Sequence, residues 1–280
     1  MGLFITGSEG FIGKHFCSLP EIKKYDLIKV DIKNNRGVKC LDIRNKSISK
    51  LINNSSTVIH FAAISNDQSS KKNIKKTYDV NINGLKNLIK ISHKKKINQF
   101  IFISTEWVYG EFTDNKKLHE NSIIDKNKIK SPYAITKLLS ERILLSKKNN
   151  FPVTILRLGI VYGSRKKPQS AIEKICYEVK NKRKIIIGSK KTARRYIHVK
   201  DVVKGIASSI GRSRNEIFNI SGSQLLTLNQ IIKICEKTNN KKVLIEEINK
   251  QKPSIRNMIK NKAKKILKWK PALSIKTEIK

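Results

Sequence analysis

Tyr133 and Lys137 stand four residues apart in Pro132-Tyr133-Ala134-Ile135-Thr136-Lys137, a spacing that sets a phenol and an ammonium on one face of a helix. A tyrosine of ordinary pKa, ~10, is a poor base at neutral pH, and a neighbouring cation favours its phenolate. Such a pair can take the proton of an alcohol while a hydride leaves for a nicotinamide. Ser104 and Thr105 close the apolar run Gln99-Phe100-Ile101-Phe102-Ile103. That strand end would let the Thr105 hydroxyl share a substrate hydrogen bond with Tyr133. Taken alone, the pair also describes an exposed ring over a lysine stem, and Thr105 a residue capping its own loop.

A cofactor site must accompany that chemistry, and the first residues provide one. Leu3-Phe4-Ile5-Thr6 reads as a buried strand, followed by Gly7-Ser8-Glu9-Gly10-Phe11-Ile12-Gly13 and a helix. Gly7 permits a sharp reversal, Gly10 a close approach of backbone to a pyrophosphate, and Gly13 tight helix–strand packing. The helix start adds N–H groups and a positive dipole end. Asp31 ends the next strand, Leu27-Ile28-Lys29-Val30-Asp31, near the ~20-residue spacing expected for an acid that accepts from the ribose hydroxyls. A carboxylate there repels a 2′-phosphate, so NAD is expected in preference to NADP.

The remaining elements alternate. A helix over Ile48, Leu51 and Ile52 is expected after Asp42-Ile43-Arg44, with Asp42 either capping it or meeting an adenine edge. Thr57 to Ala63 is a continuous apolar run, the mark of a strand covered on both faces, and Ala62 and Ala63 leave room for a ligand at its end. His60 in that run reads as a packed histidine. One long helix is expected over about 72–96, a strand over 99–104, a polar loop over about 111–130, a helix from Tyr133 through about 148, and a strand over 152–157. Strands alternating with helices predict an α/β, Rossmann-like doubly wound parallel sheet. Residues 1–160 are expected to form the NAD-binding domain, with 196–220 returning to it through a helix over Asp201 to Ile210. A smaller C-terminal substrate lobe is expected from 161–195 and 221–280, with a helix over about 258–268 ending at Trp269-Lys270-Pro271.

Composition sets bounds. A chain of 280 residues, 39% of them hydrophobic, can bury a large core. No apolar run approaches the ~18 residues of a membrane span, and the chain enters a strand almost at once, so a soluble cytoplasmic protein is expected. Cys17, Cys40, Cys176 and Cys235 form no CxxC pair, so neither a zinc site nor a disulfide framework is expected, and each reads as a small buried hydrophobe. The net charge of +39 opens a nucleic-acid reading. The lysines are spread along the whole chain, however, without an arginine-rich arm, and read as solvated faces that would at most steer an anionic substrate.

Taken in order, these pieces resemble the extended short-chain dehydrogenase/reductases, the NAD-dependent nucleotide-sugar epimerase/dehydratase family, over nearly the whole chain. The carrying residues are Thr6 to Gly13, Asp31, Asp42-Ile43-Arg44, His60 to Ala63, Asn81, Ser104 to Gly110, Tyr133 with Lys137, Arg157, Val161-Tyr162-Gly163, Arg194, Ile197 to Asp201 and Trp269 to Pro271. The resemblance implies Tyr133 as base, Lys137 tuning it and holding the nicotinamide ribose, and Thr105 as their hydroxyl partner. It implies NAD contacts at Gly7, Gly10, Phe11, Ile12, Gly13, Asp31, Asp42, Ile43, Ala62, Ala63, Asn81, Tyr133 and Lys137. It further implies Arg194, joined by Arg256 or Lys252, on the substrate diphosphate, Glu106 beside the sugar, and a homodimer paired through the helices at 72–96 and 133–148.

Departures narrow the reaction. Family 4,6-dehydratases carry Asp-Glu after the catalytic hydroxyl; here Glu106 and Trp107 stand there, and an indole abstracts no proton. Ile160 replaces an asparagine that helps hold the pyrophosphate, and Arg195 replaces an aspartate. The family usually continues into a further C-terminal helix, whose shortening is expected to loosen the lobe. The reading is a nucleotide-sugar 4-epimerase working through a 4-keto intermediate. The alternatives are a sugar dehydrogenase or ketosugar reductase using the same residues, and a non-catalytic NAD-binding protein.

Overall fold

A computed structural model describes residues 2–54, 56–146 and 149–278. The described residues of Met1–Val108, Ile129–Arg157 and Val203–Phe218 form one compact unit, and those of Tyr109–Lys128, Leu158–Val202 and Asn219–Lys280 a second.

The first unit is built on a seven-stranded sheet. Its strands are β1 (Gly2–Thr6), β2 (Asp26–Asp31), β3 (Lys39–Cys40), β4 (Thr57–His60), β5 (Gln99–Thr105), β6 (Val153–Leu158) and β7 (Glu216–Ile220), in the order β7-β6-β5-β4-β1-β2-β3. The run from β3 to β5 is parallel throughout, with Thr6 level with Val30 on one side and His60 on the other. The chain order reverses at β1, between β2 and β4, and at such a point the C-terminal strand ends diverge to leave a ligand crevice. β1, β4 and β5 are almost wholly buried, which explains why each reads as an unbroken apolar run. Phe4, Val58, Phe100 and Phe102 pack there with Leu85 and Leu88 of α4 (Gly84–Lys95) and Leu144 of α5 (Pro132–Leu144). The architecture is the expected Rossmann-like doubly wound sheet.

Several elements differ from expectation, each for a local reason. The helix expected over 72–96 is broken into α2 (Asp67–Lys72), α3 (Ile74–Tyr78), a wide π turn (Asp79–Asn83) and α4. Asn73 makes the break: it ends α2 in a non-helical conformation, and its side chain accepts from Lys76 N–H to start α3. The helix expected near Ile48 is a 3₁₀ turn, Lys46–Lys50, capped by Asn45 and not by Asp42. β4 stops at His60, before the two alanines. α5 ends at Leu144, and residues 147 and 148 of its expected course lie outside the described residues.

In the second unit, α6 (Ala171–Asn181) and α8 (Leu228–Thr238) each open on a reciprocal cap, Ser170 with Glu173 and Thr227 with Gln230. They bury Ile172, Ile175, Val179, Ile231 and Cys235 with Tyr162 and Tyr196. α7 (Val199–Ala207) begins two residues earlier than expected. Where a helix over 258–268 was expected, residues Ile255–Met258 are a strand and only Asn261–Ile266 are helical. Asp201 and Trp269 are structural pins here, the indole Nε1 donating to the Asp201 carbonyl at 3.1 Å and the Asp201 carboxylate accepting from Leu273 N–H at 2.9 Å. Of the cysteines expected to be buried, Cys235 is buried, Cys17 and Cys176 are half-buried and Cys40 is exposed.

Candidate active site

The nucleotide end of the site is laid out by backbone. Gly7 has φ +72°, and a Cβ there would sit 2.5 Å from Ala62 N. Only glycine takes that conformation without strain, so the turn lies directly on the end of β4. Gly7 N–H and Ser8 N–H both donate to the Val30 carbonyl, at 2.8 and 3.3 Å, and a Cβ on Gly13 would collide with the Gly7 carbonyl. Gly10 caps α1 (Phe11–Cys17) with no side-chain hydrogen bond, and Phe11 and Ile12 form its first turn. Asp31 closes β2 beside this turn and accepts from Glu9 N–H at 2.8 Å and Lys33 N–H at 3.0 Å. Two backbone N–H groups thus hold its two carboxylate oxygens in place.

Asp42, Ile43 and Asn81, also expected to contact NAD, are tied down differently. Ile43 is buried in the core under Gly84. Asp42 is partly exposed and chelates Arg44 at 2.6 and 2.9 Å, and Arg44 reaches on to Asp79 at 2.5 Å. The Arg44 bonds hold the Asp42 carboxyl below its usual value. Asn81 lies in the π turn, buried, and its amide accepts from Ile64 N–H at 2.9 Å while donating to the Thr136 hydroxyl at 3.0 Å. Thr136 in turn donates to the Tyr133 carbonyl at 2.8 Å. One asparagine therefore fastens the segment after Ala62 and Ala63 to the first turn of α5, and the π turn is the local distortion that carries it.

The residues expected to carry the chemistry, Thr105, Tyr133 and Lys137, lie at the end of β5 and on α5. The Thr105 hydroxyl engages the Tyr133 phenol and accepts from Trp107 N–H at 3.3 Å. The Trp107 indole stands edge-on to the Tyr133 ring at 6.4 Å. Lys137 is buried, its Nζ donating to the Ile103 carbonyl at 2.7 Å, 4.4 Å from the Phe102 ring centre and 6.0 Å from that of Tyr133. Burial dominates the acid–base state of both groups. It pushes the phenol up to about 12 against the Thr105 bond, and pulls the lysine down to about 7 against the field of Glu141. Desolvation, and not the neighbouring lysine, sets the direction of the phenol's shift, contrary to the expectation from spacing.

Beneath Lys137 lies an ion pair that spacing alone did not single out. Glu141, one further turn along α5, accepts from Ser104 Oγ at 2.5 Å and from Arg157 Nη2 at 2.7 Å, all three side chains being buried. The signal was present as Tyr133, Lys137 and Glu141 at four-residue intervals on one helix face. Glu106 is fully buried at the start of the 3₁₀ turn Glu106–Tyr109. His60 donates to or accepts from Thr6 Oγ1 at 2.7 Å, and burial drives its pKa to about 3, so it is a neutral core histidine as expected.

The two arginines belong to the second unit. Arg194 and Arg256 are level on adjacent parallel strands. Arg194 donates to the Ala193 carbonyl at 2.8 Å and to Ser254 Oγ at 2.8 Å, and Arg256 donates to the Gly110 carbonyl at 2.6 Å. Arg195 donates to Asn257 Oδ1 at 2.7 Å and to the Ser223 carbonyl, which gives the unexpected charge a structural place. Ile160 packs against the apolar core of this unit.

This combination of a glycine turn, a strand-end acid and a hydroxyl–tyrosine–lysine group on a doubly wound sheet defines a class of nicotinamide-dependent enzymes. Residues 3–221 match the NAD dependent epimerase/dehydratase family, and the chain belongs to it. It is 29% identical to an uncharacterized UDP-glucose epimerase, YtcB, of Bacillus subtilis, over 99% of this chain and 95% of that one. It is 28% identical to the human dTDP-D-glucose 4,6-dehydratase over 99% of this chain and 87% of the other. A solved UDP-glucuronic acid 4-epimerase from Bacillus cereus, in complex with UDP-glucuronic acid and NAD, superposes with a TM-score of 0.85 at 26% identity, covering 100% of this chain and 96% of that one. The cradle of Gly7, Gly10, Gly13 and Asp31 fits NAD.

Proposed function

We propose that the protein is a nucleotide-sugar 4-epimerase acting through a 4-keto intermediate. Tyr133 takes the proton of the sugar 4-hydroxyl, and the Thr105 hydroxyl, which already engages that phenol, holds the same oxygen. NAD, held by Gly7, Gly10, Gly13 and Asp31, would accept a hydride from C4 and afterwards return it. Once the ketone has turned its other face, Tyr133 returns the proton and the configuration at C4 is inverted. Lys137, released from the Ile103 carbonyl, serves the nicotinamide ribose and, when charged, stabilises the phenolate.

The observation that carries this reading is the Thr105–Tyr133–Lys137 group, in a family whose similar members bear epimerase and dehydratase names. Water elimination is disfavoured because Trp107 stands beside Tyr133, at the position of a dehydratase base, and offers no proton acceptor. Arg194 and Arg256 are proposed to hold the substrate diphosphate, and Glu106 to lie beside the sugar. We also propose cytoplasmic residence and a homodimer paired through the segment 72–96, which holds α3 and α4, and through α5. Leu139 of α5 and Ile74 of α3 are large apolar side chains left exposed, and sedimentation at two chain masses is expected. Among the described residues no helix is long and apolar enough to cross a membrane.

The test is incubation with UDP-glucose, UDP-glucuronic acid and dTDP-glucose, followed by proton NMR of the products. A C4 epimer without net nicotinamide reduction is expected from at least one of them. A 4-keto-6-deoxy sugar would contradict the reading, and so would stoichiometric NADH.

A further inference from the structure

We propose that Arg195 and Lys260 form an anion-binding site in the second unit, suited to a phosphate or to the phosphoryl group of a monoester. The site is separate from the pair proposed to hold the substrate diphosphate. Arg194 and Arg256 stand level on adjacent strands and turn to Ser254 and to the Gly110 carbonyl. The next residues along the chain, Arg195 and Asn257, bond to one another at 2.7 Å. Successive side chains of an extended segment point to opposite faces, so Arg195 serves the face away from Arg194.

Three segments are locked together around the two cations. Gly222 N–H donates to the Arg195 carbonyl at 3.3 Å, and a Cβ on Gly222 would collide with the Tyr196 carbonyl. Ser221 Oγ donates to the Met258 carbonyl at 2.6 Å. Asn257 is buried, accepts from Arg195 Nε, and donates to Asn115 Oδ1 at 2.7 Å. This frame brings Arg195 Nη1 to the Ser223 carbonyl and Lys260 Nζ to 3.5 Å from the Gly222 carbonyl. Two positive heads thus flank one dipeptide.

The charges there are all of one sign. Arg195 and Lys260 are both half-buried, and among the described residues each meets only carbonyl and amide oxygens, with no carboxylate. Burial lowers the pKa of both, and Lys260 is lowered further by Arg195 and by Lys264 of the helix Asn261–Ile266. A cation taken out of water costs free energy unless it is paired. A structural role accounts for Nε and Nη1 of Arg195, but not for a lysine held beside it. Nη2 of the guanidinium and the Lys260 ammonium keep N–H donors for a ligand, and such donors form charge-assisted bonds to phosphate oxygens. One dianion would relieve the repulsion among all three cations.

The experiment is calorimetric titration with inorganic phosphate at constant ionic strength, on the wild-type chain, Arg195→Gln and Lys260→Gln. Two controls accompany them: Arg256→Gln, and a double variant of two exposed lysines of α4, Lys86→Gln with Lys90→Gln. Saturable binding with a Kd of about 1 mM or below is expected for the wild type, weakened at least about tenfold in Arg195→Gln and in Lys260→Gln and kept in the α4 variant. If Arg195→Gln fails to fold, Lys260→Gln carries the test, because its side chain reaches only one carbonyl. Phenyl phosphate, titrated in parallel, tells the two sources apart: equal affinity assigns the site to a phosphoryl group on a larger molecule, and much weaker affinity to free phosphate. No saturable binding would overturn the proposal. Equal weakening in the α4 variant would overturn it too, since net charge alone would then hold the anion. So would binding lost in Arg256→Gln and kept in Arg195→Gln and Lys260→Gln, which would place the anion at the other pair.

Discussion

Lys137 donates to the Ile103 carbonyl at 2.7 Å while its Nζ stands 6.0 Å from the centre of the Tyr133 ring. The lysine is thus engaged with the strand beneath it and not with the phenol, and both groups carry pKa values displaced by burial toward their neutral forms. In the proposed mechanism the base forms only when bound ligands reorganise this pair.

That displacement has a consequence for stability. The folded Lys137 pKa is lowered from 10.5 to about 7, so between those values the unfolded chain binds the extra proton and stability rises with pH. Below about pH 7 the full penalty of burying the charge is present. We predict that cofactor-free Lys137→Met is more stable than the wild type at pH 6 to 7 and that the difference shrinks toward pH 10. Thermal melts of both proteins across that window check this; a constant difference would place the lysine pKa elsewhere.

Glu141 and Arg157 are buried together, with Ser104 on the same carboxylate. Glu141→Ala takes the carboxylate away from a buried guanidinium, and a loss of about 3–5 kcal/mol is predicted in urea unfolding. A loss below about 1 kcal/mol would mean that water or another acceptor replaces the carboxylate.

Gly7→Ala puts a methyl group 2.5 Å from the Ala62 nitrogen, at φ +72°. The turn must shift, so NAD affinity is expected to fall at least about tenfold, with stability lowered by about 1–3 kcal/mol. Calorimetry with NAD and a melt together check it. Unchanged NAD binding would show that the turn does not cradle the cofactor.

Asn81→Leu removes the bridge between Ile64 and Thr136. Because Asn81 orients the first turn of α5 and is not placed on the reacting atoms, kcat is predicted to fall about tenfold or more while sugar binding changes little. Rescue by Asn81→Gln is not expected, since the longer side chain cannot fit both partners. A pure loss of folded protein, with normal turnover per folded molecule, would contradict the positioning role.

The sheet was legible because its central strands are buried on both faces and so read as unbroken apolar runs, as Thr57 to His60 and Gln99 to Ile103 do. The glycine turn, Asp31 and the tyrosine–lysine spacing were legible because local geometry demands those residue types. What escaped detection depends on partners far apart in sequence. Asn73 breaks a segment whose apolar periodicity runs on past it, by capping with one side chain. The pairing of Glu141 with Arg157 and Ser104 joins a helix to two strands. The tyrosine and lysine pKa directions depend on burial, which spacing does not reveal.

The most direct measurement is turnover of Tyr133→Phe with the accepted nucleotide sugar, made alongside calorimetry with NAD. The account predicts a loss of about a thousandfold or more in C4 inversion with NAD affinity kept. A phenylalanine variant that inverts C4 at the wild-type rate would contradict it.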